Sequence, residues 1–81
     1  MEIRKAIDEI VKEITRVDIS GLPAHSPLES IGVDSLSMAE LCYQIEMRFR
    51  IEIANDVYAL HTLQDFITLI AKKAPETAAA Q

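Results

Sequence analysis

Ser35 stands in the run Ile31-Gly32-Val33-Asp34-Ser35-Leu36, where residue type and spacing together favour chemistry. Gly32 breaks the preceding chain, Asp34 is a good helix cap, and a periodic apolar pattern opens at Leu36. The serine hydroxyl therefore sits at the first position of a helix, exposed and without bulky neighbours. Unsatisfied N–H groups and the positive end of the helix dipole favour an anion there by ~0.3–1 kcal/mol at an exposed site. A phosphate on this hydroxyl suits the position. The plainer reading is that Asp34-Ser35 does nothing but cap the helix.

Few other side chains compete for a chemical role. With only His25 and His61 there is no plausible Ser-His-Asp arrangement, so the expectation is that the chain has no catalytic residues of its own. One cysteine, Cys42, forms neither an internal disulfide nor a cysteine-based zinc site, and no spacing marks the histidines as metal ligands. Cys42 reads as a packed thiol at the edge of a core stripe. His61, just before Thr62, reads as a surface residue. The formal charge of −5 argues against nucleic acid or an anionic membrane as partner, since both need a concentrated basic surface. Basic protein surfaces fit better. The opening residues Met1 to Asp8 are charged and amphipathic, with no apolar run for a signal peptide or membrane span, so a soluble protein is expected, with a reducing cytoplasm as the default compartment for a single cysteine and a monomer as the expected state.

The elements that must position Ser35 follow from periodicity. At 81 residues the chain is one small domain, and four aromatics with two glycines suit helices better than sheets. Ile3, Ile7, Ile10, Val11, Ile14 and Val17 form one stripe of a first helix over about 2–16, with Lys5/Glu9 and Asp8/Lys12 paired on its solvated faces. Gly21, Pro23, Pro27 and Gly32 then break the pattern into a long loop, which Leu22, Leu28 and Ile31 pin to the core. A second helix runs from Asp34-Ser35 to about Arg50, burying Met38, Leu41, Cys42, Ile45 and Phe49. Asn55-Asp56 caps a short third helix bearing Val57, Tyr58 and Leu60. Thr62-Leu63-Gln64-Asp65 has the form of a capping box opening a last helix with Leu63, Phe66, Ile67, Ile70 and Ala74 inward, ended by Pro75. The expected fold is an all-α four-helix bundle, three longer helices and one short third helix, with a long loop between helices one and two. Residues 1–74 make the domain and 75–81 a disordered tail.

In this setting Gly32-Val33-Asp34-Ser35-Leu36 resembles the Asp-Ser-Leu attachment motif of the acyl carrier protein family, and the resemblance covers roughly Ile3 to Lys73. It implies that a phosphopantetheinyl transferase joins 4′-phosphopantetheine from coenzyme A to Ser35, and that the arm holds acyl groups as thioesters for fatty-acid, polyketide or related lipid biosynthesis. Asp34 would cap the helix and contact the transferase and its metal. The partners implied are that transferase and acyl synthases, ligases or acyltransferases with basic docking patches, without stable membrane insertion.

A second apolar line on helix two, Leu36, Tyr43 and Met47 with Glu40 among them, is the expected partner surface. Scattered surface hydrophobics or cover for a loop are the alternative. The helix departs from the acidic family pattern by carrying Ser37, Met47, Arg48 and Arg50, which implies altered partner choice. Ile53-Ala54-Asn55-Asp56 lacks the proline often found at the start of the third helix. Two rivals remain at this stage: an aminoacyl or peptidyl carrier, whose motif more often reads Gly-Gly-Asp-Ser than Val33 allows, and a helical interaction module without cofactor.

Overall fold

The computed structural model describes residues 3–74, and the expected tail 75–81, with Pro75 as helix stop, lies outside them. Three α-helices dominate: α1 (Ile3–Thr15), α2 (Ser35–Phe49) and α3 (Leu63–Lys73). Two short 3-10 segments, Leu28–Ile31 and Ala54–Ala59, lie in the connections, and the second is the short third helix of the bundle. No strand is present among the described residues, although one isolated bridge pairs Pro27 with Thr62.

α1 packs against both α2 and α3. Its three- and four-residue steps bury Ile3, Ala6, Ile7, Ile10 and Val11, which meet Leu41, Cys42, Ile45 and Phe49 of α2 and Leu63, Phe66 and Ile70 of α3 in one core. Ile14, Met38, Ile67 and Ala74 are only partly buried at its margin. Val17, expected on the α1 stripe, is 43% exposed. The reason is local: Arg16 takes a left-handed φ of 66° and turns the chain off the helix axis before Val17. The charges on α1 take other partners than the expected Lys5/Glu9 and Asp8/Lys12 pairs. Arg4 bonds Asp8 at 2.6 Å, and Glu9 reaches Arg48 on α2 at 3.0 Å, so Glu9 links two helices instead of bracing one.

The long loop is held by backbone bonds and by three apolar anchors. Leu28 and Ile31 are buried as expected, but Leu22 is an exposed turn residue, and Ile19 takes the anchoring place instead. The turn closes through Leu22 N–H to the Ile19 carbonyl, so Ile19 points inward and Leu22 outward. Farther along, Leu28 N–H donates to the His61 carbonyl at 2.9 Å, and Gln64 N–H donates to the Ala24 carbonyl at 2.7 Å. The loop is thus attached to the start of α3 at two points.

The short third helix begins at Ala54, ahead of the expected cap. Ile53 occupies its cap position without a side-chain bond, so Asn55-Asp56 does not cap it. Two other groups hold the segment in place. The Glu46 carboxylate of α2 accepts the Ile53 N–H at 2.8 Å, and the Lys73 ammonium of α3 pairs with Asp56 at 2.7 Å. Val57 is half-buried and Leu60 buried, while Tyr58 is exposed.

Candidate attachment site at the start of the second helix

The geometry around Ser35 is set by the four residues before it. The 3-10 turn Leu28–Ile31 ends on Gly32 at φ 93°, a left-handed conformation that strains any residue with a Cβ. Gly32 N–H bonds back to Glu29 and Leu28, and Val33 turns inward to the core. Asp34 then adopts extended backbone angles, and its carboxylate accepts the Ser37 N–H at 2.9 Å as the cap of α2. That bond from the Ser37 N–H holds the Asp34 carboxyl below its ordinary value of 3.8. Ser35 follows as the first helical residue, exposed, beside backbone N–H groups that have no partner within the helix.

An open groove of about 770 Å³ begins at Ser35. Asp34 and Glu29 line it with carboxylates, Leu28, Val33, Met38, Val57 and Leu60 supply apolar surface, and His61 lines it too. The groove thus spans the loop, the first turn of α2 and the short third helix. Its depth is limited by the buried Leu28, Val33 and Leu60.

The other predicted residues fall on two sides. Leu36 is 82% exposed, Tyr43 59% and Met47 63%, and Glu40 is exposed with them, so the apolar line on α2 is a surface and not cover for a loop. Cys42 lies on the opposite side of the helix within the core. Burial, with a smaller push from Glu46, raises its thiol to about 11, which leaves little thiolate near neutral pH. His25 is exposed on the loop and does not line the groove. Nothing in residue type or spacing places His61 by the groove: its position depends on the Leu28 to His61 backbone bond, which periodicity does not report.

Comparison with known proteins bears on the same region. The family described as phosphopantetheine attachment site matches residues 5–70. A meromycolate extension acyl carrier protein of Mycobacterium leprae is 36% identical, with 98% of this chain and 73% of that protein covered. An acyl carrier protein of Thermobifida fusca is also 36% identical, over 88% of this chain and 92% of its own. The chain belongs to the phosphopantetheine-binding acyl carrier protein family. The fold agrees: the crystal structure of an acyl carrier protein from Thermotoga maritima superimposes with a TM-score of 0.78, covering 91% of this chain and 93% of that one at 23% identity.

An acyl carrier protein is a carrier and not an enzyme, and its cofactor is covalently attached 4′-phosphopantetheine. Its partners are a phosphopantetheinyl transferase and the synthases that use the cargo. The residues at the head of α2 fit that cofactor: an exposed hydroxyl for the ester, helix N–H groups for the phosphate, and an apolar-floored groove alongside. Among the described residues no helix is long and apolar enough to cross a membrane.

Proposed function

We propose that Ser35 is the attachment residue and that Asp34 is both the cap that fixes its position and a contact for the loading transferase. The observation that carries this is the exposed Ser35 at the first position of α2, at the mouth of the groove. The bound arm supplies a terminal thiol on which acyl groups are held as thioesters. The chain's own part is to present the hydroxyl, cap the helix with Asp34, and shelter the start of the cargo against Leu28, Val33, Met38, Val57 and Leu60.

Leu36, Glu40, Tyr43 and Met47 form the surface that synthases, ligases or acyltransferases meet. Glu40 pairs with a basic group on the partner and the three apolar side chains make the contact. The rest of the charge on α2 is engaged elsewhere: Glu46 bonds the Ile53 N–H, and Arg48 pairs with Glu9. Such a face supports a carrier for a specialised lipid or polyketide pathway, and the meromycolate extension relative points the same way. The protein acts as a monomer in the cytoplasm.

Intact mass after incubation with coenzyme A, magnesium and a broad-specificity phosphopantetheinyl transferase tests the assignment. The wild type gains the mass of one arm and Ser35→Ala gains none. No gain on the wild type, or an equal gain on Ser35→Ala, would sink it.

A further inference from the structure

The residues lining the groove at Ser35 are unbalanced in hydrogen-bonding character. Glu29 and Asp34 are acceptors when ionised, the Pro27, Leu28, Val33, Met38, Val57 and Leu60 side chains have no donor, and the Ser35 hydroxyl is consumed when an ester forms on it. Among the described residues, His61 is then the one lining side chain that still donates a hydrogen bond. A phosphodiester is an anion with acceptor oxygens, and the amide carbonyls of a pantetheine chain are acceptors too. Inside this groove they meet, among the described residues, two carboxylates and a single side-chain donor.

The backbone of His61 is fixed from both sides, and the residue is exposed. Its N–H donates to the Asp65 carboxylate at 2.8 Å, and its carbonyl accepts the Leu28 N–H at 2.9 Å. The Asp65 carboxylate also takes the Thr62 N–H at 3.0 Å within the capping box of α3. The imidazole therefore extends from a rigid corner, and ordering it against a ligand costs little beyond its own two side-chain torsions.

Taking Ser35 as the attachment residue, we infer that His61 is a positioning residue for the arm: its imidazole donates a hydrogen bond to the phosphodiester or the first amide carbonyl and holds the arm along the groove. The arm is present only once Ser35 is loaded, so this contact forms on the loaded carrier.

The test uses the full chain loaded with phosphopantetheine, as wild type, His61→Ala and His61→Gln, the last keeping a side-chain donor. Each protein is first checked by intact mass, then read by phosphorus NMR of the diester and by nuclear Overhauser contacts from the arm to groove protons. The expected result is that His61→Ala shifts the phosphorus resonance toward that of a free pantetheine phosphodiester and loses the contacts to Val57 and Leu60, while His61→Gln keeps most of both. Unchanged phosphorus shift and contacts in a well-folded His61→Ala would overturn the inference and leave the Ser35 assignment standing. Absence of mass gain on the wild type would overturn the Ser35 assignment first, and the inference with it. If His61→Ala and His61→Gln lose the contacts equally, a donor role is rejected.

Discussion

The Arg4 guanidinium of α1 donates to the Ile19 carbonyl at 2.9 Å, fifteen residues along the chain, and the same nitrogen reaches the Leu22 carbonyl at 2.7 Å. Nε of Arg4 meanwhile bonds Asp8. One planar side chain thus fastens the first turn of the long loop onto the first turn of α1, a geometry that a guanidinium fork offers and an ammonium does not. Hydrogen bonds to charged groups contribute ~1.5–3 kcal/mol each, so Arg4→Ala is expected to cost about 2 kcal/mol after solvent screening at this partly exposed site. Arg4→Lys should recover less than half. Urea unfolding reads the change directly, and an unaltered midpoint in Arg4→Ala would show that the guanidinium adds nothing to the hold that the buried anchors and backbone bonds give the loop.

This anchor also marks where the sequence stops being informative. The helices were legible because Ile3, Ile7, Ile10 and Val11, or Leu41, Ile45 and Phe49, repeat at helical spacing and end up buried for that reason. Asp34 and the Thr62–Asp65 box were legible because caps are made by residue types at fixed offsets. What was not legible depends on contacts between distant segments. Ile19 and Leu22 are equally apolar, and only the turn hydrogen bond decides which points inward. Asn55 and Asp56 are good capping types, yet Glu46 from α2 takes the N–H at Ile53. The place of Ser35 at the head of α2 and the exposed line beside it were read from residue type and spacing, and its attachment role from the family resemblance, whereas His61 comes to the groove through a backbone bond that any residue at that position would make.

Three carboxylates in turns and caps should dominate the acid response. Asp34, Asp65 and Asp18 are each held below the ordinary value of 3.8, first by backbone N–H bonds from Ser37, His61 and Ser20 respectively. A depressed folded-state value means that the stabilisation is present above 3.8 and is lost as the pH falls through the lower folded-state values. The thermal midpoint should therefore be insensitive to these groups from pH 7 down to about 5, then fall steeply below pH 4. Asp34→Asn and Asp65→Asn keep an acceptor at each cap without a titrating group. The double variant should lose much of the acid slope while unfolding near the wild-type temperature at neutral pH. An equally steep slope in that variant would place the acid sensitivity elsewhere.

Two arginines occupy positions where glycine is the better residue. Arg16, after α1, has φ 66°, and Arg50, after α2, has φ 56°; each N–H bonds back into its helix, Arg16 to Lys12 and Arg50 to Glu46. A left-handed residue with a Cβ costs roughly 1–2 kcal/mol, and glycine gives back about 0.5–1 kcal/mol through its freer unfolded chain. Arg16→Gly and Arg50→Gly are each expected to stabilise by about 0.5–1 kcal/mol. For a domain of this size that raises the thermal midpoint by several degrees, at roughly 4–8 °C per kcal/mol. Arg50→Ala is the control: it removes the same charge without relieving the backbone, so a gain of equal size there would assign the effect to charge.

The groove beside Ser35 sets how strongly cargo can feed back on the fold. Fully burying a methylene contributes ~0.8 kcal/mol, so six enclosed methylenes would add ~5 kcal/mol, comparable to the whole stability of a small domain. This groove is open along one side and floored by Leu28, Val33, Met38, Val57 and Leu60, so a chain lying in it keeps roughly half its surface in water and each methylene is worth about 0.4 kcal/mol. Carriers loaded with four-, eight- and twelve-carbon acyl groups should therefore unfold at progressively higher temperature, rising until the chain outruns the apolar floor and then levelling. Met38 is half-buried on the α2 wall of the groove, and Met38→Trp should fill it, flattening the series while the carrier still loads at Ser35. A wild-type series already flat from four carbons would mean that the acyl chain stays outside the bundle, its protection left to the partner enzymes that meet Leu36, Tyr43 and Met47.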